Sequence, residues 1–130
     1  MKYFIMATIL LLVGLNQAYA DHHAVKLAKN DVLGSFLTDS KGMTLYYFFK
    51  DSPGKSVCVD DCVTKWPPYY RETVAPMDGL KADYFGEITR EDGKKQSTYQ
   101  RIPLYYYFND TRAGDTLGEG VTNDGHVATP

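Results

Sequence analysis

The sequence predicts an all-β fold: a small single domain built from two repeated three-stranded antiparallel meanders, with a disulfide-containing, proline-rich loop between them. Two observations predict this architecture. The stretch "TLYYFFKD" at residues 44–51 recurs as "PLYYYFND" at 103–110, 59 positions later. Each copy ends a series of short strand-like segments separated by turn residues, with few helical periods, which is the pattern of an all-β chain.

The first twenty residues are predicted to be a signal peptide. They contain one lysine, a mostly apolar run at 3–15 and a small-residue pattern at 18–20, which is typical of a cleaved secretory signal. An uncleaved anchor is the alternative, but the polar residues 16–17 favour cleavage after Ala20. The run is too short for a membrane span, no other segment is apolar enough for one, and no cysteine near the cut could carry a lipid. The mature chain is therefore expected to be periplasmic or secreted.

The composition of the mature chain excludes one class of partner. Removing the signal leaves 13 basic and 16 acidic side chains, a formal charge of −3, and the basic residues are scattered. Because phosphates require a concentrated basic face, nucleic acid is not an expected partner. The length of the mature chain suits one small domain with one core.

The first repeat is predicted at about residues 24–51. Strand-like segments lie at 24–29 and 35–38, and the aromatic strand follows at 43–49. The turns between them, "NDVLG" and "DSKG", contain the glycines that supply a positive φ.

The second repeat is predicted at about residues 84–110. Its first strand, "YFGEITR", leads through the turn "EDG" to the strand "KKQSTYQ". After a short turn near Arg101, the aromatic strand follows at 103–108. The Asp-Gly pair in the first turn is typical of a hairpin.

A connecting loop at 52–83 and a C-terminal tail at 111–130 complete the domain. Cys58 and Cys62 lie in the loop, and two cysteines in an exported chain most simply form one disulfide. The i, i+4 distance in a regular helix exceeds what a disulfide requires, so a tight loop or distorted turn is expected. The alternatives are a redox pair or two thiolate metal ligands, but redox motifs of this kind have two intervening residues, and here there are three.

The aromatic strands carry large side chains on both faces. Alternate residues of a strand face opposite sides, so Tyr46 and Phe48 share one face while Leu45 and Tyr47 share the other. The second copy alternates in the same way. This pattern predicts central strands, with one face in the core and the other covered or lining a groove.

Two interpretations of these strands stay open. In the first, the tyrosines pack in the core and their hydroxyls bond partners such as Asp51 and Asp110, which is the more common role. In the second, the strands form a stacking site for a flat ligand or place tyrosines near a redox centre. The candidate ligand-binding residues are then Tyr46, Phe48, Asp51, Tyr105, Tyr107 and Asp110.

Two long segments resemble a known family. "GSFLTDSKGMTLYYFFKDSPGKSVCVDDCVTKWPP" and "ITREDGKKQSTYQRIPLYYYFNDTRAGDTLGEGV" are similar to a bacterial secreted-repeat family, often labelled predicted lipoprotein, with the motif Tyr-x-(Phe/Trp/Tyr)-x-x-Asp. Both tyrosine strands fit that motif. The resemblance implies export and a duplicated β-rich unit and, for some members, a link to haem or respiratory electron transfer.

The chain departs from that family pattern at several positions. It lacks the cysteine that carries a lipid in many members, and Asp60 stands where glycine is common between the two cysteines. Arg101 stands where a glycine usually precedes Pro-Leu-Tyr. Gly125 precedes His126 where a Trp-His pair is usual, and the absent tryptophan weakens the case for an aromatic ligand pocket.

The predicted mature N-terminus is a candidate metal site. Asp21, His22 and His23 would supply a free amine, two amides and an imidazole, which can surround a square-planar ion such as Cu(II). His22 adds an imidazole that could bind Cu(I). The alternative is an unstructured polar start, which is ordinary for an exported protein.

No catalytic motif is present, so the protein is not expected to be an enzyme. The three histidines lie near the mature termini, and the serine-hydrolase, zinc-protease and phosphate-loop patterns are missing. Two hypotheses follow. The first is a periplasmic binding protein for a metal or a flat redox ligand, with copper or haem as the candidates. The second is an interaction or structural module without a ligand, which docks on an envelope or electron-transfer protein.

Overall fold

A computed structural model describes residues 24–77 and 79–130 of the chain. The predicted signal peptide and the N-terminal histidines lie outside these residues. One short α-helix, α1, spans Asp61–Lys65, and short 3₁₀ segments span Ala82–Tyr84 and Val121–Asn123. No helix in the described part is long and apolar enough to cross a membrane. The strands are β1 Ala24–Asn30, β2 Gly34–Thr38, β3 Tyr46–Phe48, β4 Ala75–Pro76, β5 Phe85–Thr89, β6 Lys95–Tyr99, β7 Ile102–Pro103 and β8 Gly125–Val127.

The two predicted meanders are confirmed. In the first, β1 and β2 form an antiparallel hairpin, and the chain returns alongside β2 through a bridge between Thr38 and Thr44. In the second, β5 and β6 form the hairpin and β7 returns alongside β6. The turn between β5 and β6 contains Gly93 at a φ of 82°, a conformation that glycine adopts without steric cost.

The two meanders meet at their aromatic strands. The amide of Tyr46 donates to the carbonyl of Tyr105 at 2.8 Å, and the amide of Tyr105 donates back to Tyr46 at 2.9 Å. These residues are 59 positions apart and therefore equivalent in the repeat. A pseudo-twofold axis consequently passes between them and relates the two halves of the domain.

Each aromatic strand has a second neighbour that the sequence did not predict as a strand. The amide of Ala128, just after β8, donates to Leu45 at 2.8 Å, and the amide of Tyr69 donates to Leu104 at 2.9 Å. Ala128 and Tyr69 are again 59 positions apart. The described strands form three small sheets, ordered β2-β1-β4, β3-β8 and β5-β6-β7, and the pairing of loop and tail segments adds β4 and β8 to the predicted strands.

The domain packs around two apolar clusters, one on each side of the aromatic strands, as the alternation predicts. Successive residues of each strand belong to opposite clusters, so both faces are covered. The first cluster comprises Phe36, Tyr46, Phe48, Cys58, Trp66, Tyr105, Tyr107 and Val127. The second comprises Val25, Leu37, Leu45, Tyr69, Tyr99, Leu104 and Ala128.

The two cysteines form the predicted disulfide. Their Cα atoms are 5.2 Å apart, and Asp60, between them, has a φ of 55°. The helix α1 begins only at Asp61, so Cys58 lies outside it. This distorted turn agrees with the expectation that the pair does not lie in a regular helix.

Candidate functional site

The candidate ligand-binding residues divide into buried rings and carboxylates at their edge. Tyr46 and Tyr105 are fully buried, and Phe48 and Tyr107 are less than a tenth exposed. Trp66 packs among them, with its ring centroid 4.8 Å from that of Tyr107. The rings therefore contact one another, and the aspartates lie where the cluster approaches the surface.

Each tyrosine hydroxyl bonds an aspartate of the other repeat. The hydroxyl of Tyr46 donates to Oδ2 of Asp110 at 2.6 Å, and that of Tyr105 donates to Oδ2 of Asp51 at 2.5 Å. The two bonds are equivalent under the pseudo-twofold axis. The recurring tyrosine and aspartate thus join the two halves through side chains, in addition to the backbone bonds between the aromatic strands.

The other oxygen of each aspartate fixes a loop of its own repeat. Oδ1 of Asp51 accepts the amide of Val57 at 2.8 Å, and Oδ1 of Asp110 accepts the amide of Leu117 at 3.0 Å. In the second half, the amide of Gly118 also donates to the hydroxyl of Tyr46 at 3.2 Å. A single carboxylate therefore connects one repeat to the other and also fixes a surface loop.

Burial governs the charge of these groups. It raises the pKa of Asp51 and of Asp110 above the ordinary value, although the hydrogen bonds from the tyrosines act in the opposite direction. Burial also raises the pKa of Tyr46 and of Tyr105, and the bonded aspartates raise it further. The hydroxyls therefore remain protonated donors well above neutral pH.

A buried arginine supports one of the two pairs. Nη1 of Arg90 donates to Oγ of Ser56 and to Oε1 of Gln96, each at 2.8 Å, and Nη2 donates to the carbonyl of Cys58. Oγ of Ser56 lies 2.6 Å from the hydroxyl of Tyr105. Sequence reasoning missed Arg90, because an arginine at the end of a strand normally reaches solvent and carries no signal of burial.

The loop next to the Tyr46–Asp110 pair forms one wall of an open groove of about 340 Å³. Oδ1 of Asn30 accepts the amides of Val32 and Leu33 at 3.0 and 2.7 Å, which fixes the opposite wall. Val32 is 90% exposed, and Leu117 is 58% exposed. We call this surface the Val32 groove; its lining residues are Asn30, Asp31, Val32, Leu33, Thr116 and Glu119.

The candidate metal ligands Asp21, His22 and His23 lie outside the described residues. Within residues 24–77 and 79–130, no group of three or more histidine, cysteine, aspartate or glutamate side chains could hold a metal ion. His126 is half-exposed, and its Nδ1 lies 3.1 Å from Oε1 of Glu119.

A family model described as a secreted repeat of unknown function matches the chain twice, over residues 28–69 and 86–128. Both matches begin inside the first hairpin of a repeat and end at the residue that pairs with Leu45 or Leu104. Each matched unit thus includes the segment that pairs with the aromatic strand of the other unit, and these segments lie in the predicted connecting loop and tail. No curated protein and no solved structure matches the chain.

Proposed function

The chain belongs to this family of secreted repeats, and on that premise we propose that it is an exported, non-catalytic module that binds a partner protein in the cell envelope through the Val32 groove. The observation that carries the proposal is the display of Val32, which lines the groove, and of Leu117, which lies between the lining residues Thr116 and Glu119 in the chain. Both are aliphatic and mostly exposed, and side-chain hydrogen bonds fix both of their loops. Exposed apolar groups next to a concave surface are typical of interaction sites.

Preorganisation favours binding at this groove. Asn30 fixes one wall through two backbone amides, and Asp110 and Tyr46 fix the other through the amides of Leu117 and Gly118. A partner that binds a rigid surface loses less conformational entropy than one that must order a flexible loop. The recurring tyrosine and aspartate would then serve binding indirectly, by presenting Leu117.

The charge of the groove indicates the chemistry of the partner. Asp31 and Glu119 line it, and no lysine or arginine does. Electrostatic complementarity therefore favours a partner segment that places a basic residue beside an aliphatic one. Both carboxylate oxygens of Glu119 are already engaged, one by His126 and the other by the amide of Val127. Such a carboxylate is better placed to attract a basic residue of a partner than to accept a proton as a catalytic base.

Selection from displayed random peptides tests the proposal. The mature protein is immobilised, and we expect enrichment of peptides that combine an aliphatic side chain with an adjacent lysine or arginine. Their binding should fall at least tenfold, or about 1.4 kcal/mol, for the double variant Val32→Ser/Leu117→Ser. The matched control is Phe49→Ser, which removes an exposed apolar side chain outside the groove.

The control separates a groove interaction from general adhesion. Binding that survives in the double variant, or that Phe49→Ser weakens equally, would overturn the proposal. A selection that enriches acidic peptides would also contradict it, because the carboxylates of Asp31 and Glu119 would repel them.

Copper binding at the mature N-terminus is a second candidate, favoured by the order of Asp21, His22 and His23. Native mass spectrometry of the protein purified from the envelope of its host would reveal bound copper or haem as excess mass. We expect copper binding to be lost in His23→Gln and retained in His126→Gln. For haem, the aromatic strands offer little ring surface, because Tyr46 and Tyr105 are fully buried.

A further inference from the structure

The two halves of the disulfide differ in their access to solvent. Cys58 is fully buried in the first apolar cluster, whereas Cys62 is partly exposed and lines an open groove of about 220 Å³. We call this the disulfide groove; its walls include Phe48 and Trp66. The charges that line it balance: two are positive, on Lys50 and Lys65, and two are negative, on Asp61 and Asp124.

A positive charge lies beside the buried half. The guanidinium of Arg90 donates to the backbone carbonyl of Cys58, and the Arg90 side chain is 1% exposed. Its Nε also pairs with Oδ2 of the partly exposed Asp92 at 3.3 Å, on the side of the guanidinium away from the two Nη atoms that bond Ser56, Gln96 and Cys58. A neighbouring arginine favours the thiolate form of a cysteine over the thiol. The charge would therefore compensate a thiolate on Cys58, which burial alone would disfavour.

From these two observations we propose that the Cys58–Cys62 disulfide is a thiol-exchange site, which an extracytoplasmic dithiol opens by attack on Cys62, with Cys58 as the leaving group. Attack on a disulfide proceeds in line with the sulfur–sulfur bond. Because Cys58 lies inward and Cys62 outward, the in-line path to Cys62 comes from the solvent side. The same path to Cys58 would cross the packed core.

The exchange balances as follows. A thiolate of the dithiol forms a bond to Sγ of Cys62, the Cys58–Cys62 bond breaks, and the electron pair passes to Sγ of Cys58, which then takes a proton from water. The second sulfur of the reagent, as a thiolate, then attacks the reagent sulfur that is bonded to Cys62. This step closes the reagent's disulfide and releases Cys62 as a thiolate, which is then protonated. The dithiol is oxidised to a disulfide, and the protein gains two electrons and two protons.

Opening the bond would affect the first apolar cluster. The amide of Trp66 donates to the carbonyl of Cys62 at 2.8 Å, so the disulfide and Trp66 share a short helical turn. Trp66 is the only tryptophan of the chain. Its fluorescence therefore reports on exchange without a label.

The first test uses the folded, oxidised protein and a neutral monothiol, 2-mercaptoethanol. After an acid quench and labelling with N-ethylmaleimide, peptide mass spectrometry locates the adduct. We expect mercaptoethanol on Cys62 and maleimide on Cys58, in about tenfold excess over the reverse arrangement. Adducts divided equally between the two cysteines, or favouring Cys58, would overturn the proposal.

The second test distinguishes exchange in the folded protein from exchange after unfolding. The rate of reduction by dithiothreitol, followed by Trp66 emission, should rise in proportion to the reagent concentration. A plateau at the rate of global unfolding would show that the disulfide is inaccessible in the native state, and would overturn the proposal.

The third test addresses the charge beside Cys58. We expect Arg90→Lys to retain the exchange rate within about threefold and Arg90→Gln to lower it by about tenfold, because the leaving thiolate loses its compensating charge. The matched control is Arg112→Gln, which removes an exposed guanidinium. Equal rates in Arg90→Lys and Arg90→Gln would remove Arg90 from the mechanism, and the first two tests remain decisive if a variant does not fold.

Discussion

Two equivalent tyrosine–aspartate pairs join the halves of the domain, and these two joints lie in different surroundings. The Tyr105–Asp51 pair lies next to Ser56, Arg90 and a disulfide. The Tyr46–Asp110 pair lies next to backbone amides of an open surface loop. The comparison shows that a duplicated unit can preserve its joining contacts while its halves diverge. One half is cross-linked, and the other presents a loop to the Val32 groove.

The largest expected effect comes from removing Arg90, which lies beside the Tyr105–Asp51 joint. Arg90→Met should lower the free energy of unfolding by about 3–5 kcal/mol, because Ser56, Gln96 and the carbonyl of Cys58 lose a buried charged donor. Urea denaturation measures the change. Arg112→Met, at an exposed position, should stay within about 0.5 kcal/mol of wild type. A loss below about 1 kcal/mol for Arg90→Met would mean that the network contributes little to stability.

The second effect concerns a pair of equivalent positions at which the side chains of the two halves differ in size. Trp66 and Gly125 are equivalent in the repeat, and a Cβ atom at Gly125 would lie 2.2 Å from the indole of Trp66. The indole thus occupies space that only a glycine leaves free. Gly125→Ala should cost about 2–3 kcal/mol of unfolding free energy, since the packed ring cannot move aside without strain.

A control and a second variant sharpen this prediction. Gly86→Ala, where the added atom would lie 3.2 Å from Oγ1 of Thr98, should cost less than about 1 kcal/mol. In a double-mutant cycle, Trp66→Phe should reduce the penalty of Gly125→Ala, because the smaller ring removes the clash. Additive losses would show that the penalty does not arise from Trp66.

The sequence predicts some of these features and not others, for physical reasons. The alternation in the tyrosine strands sets which residues face each cluster, and turn residues such as Gly93 locate the hairpins, so local patterns suffice there. The exchange of tyrosine and aspartate partners between repeats depends on how the halves dock, which no local pattern encodes. The burial of Arg90 and the contact of Trp66 with Gly125 likewise arise from tertiary packing.

The third effect compares the two joints directly. Tyr46→Phe removes the donor to Asp110 and also leaves the buried amide of Gly118 without its acceptor. Tyr105→Phe removes the donor to Asp51, but Arg90 still donates to Ser56. We therefore expect losses of about 2 kcal/mol for Tyr46→Phe and about 1 kcal/mol for Tyr105→Phe, measured by urea denaturation. The reverse order would show that the joint beside the disulfide depends more on its tyrosine.

The smallest effect is a difference in pH dependence between the joints. Burial raises the pKa of both aspartates, and the nearby charge of Arg90 opposes the rise only at Asp51, whereas Asp115 adds to it at Asp110. A carboxyl with a raised pKa in the folded state binds its proton more tightly there than in the unfolded chain. Its stabilising contribution is therefore complete below the ordinary pKa and is lost as pH rises through the raised value.

Replacing each aspartate by asparagine isolates that contribution. The stability of wild type relative to Asp110→Asn should decline as pH rises from below the ordinary carboxyl pKa through the raised value, and the decline relative to Asp51→Asn should be smaller because Arg90 favours the charged carboxylate. Urea denaturation at constant ionic strength across this range provides both profiles. A relative stability that instead increases with pH would mean that the hydrogen bond from the tyrosine outweighs burial, and that the joint is strongest with its carboxylate ionised.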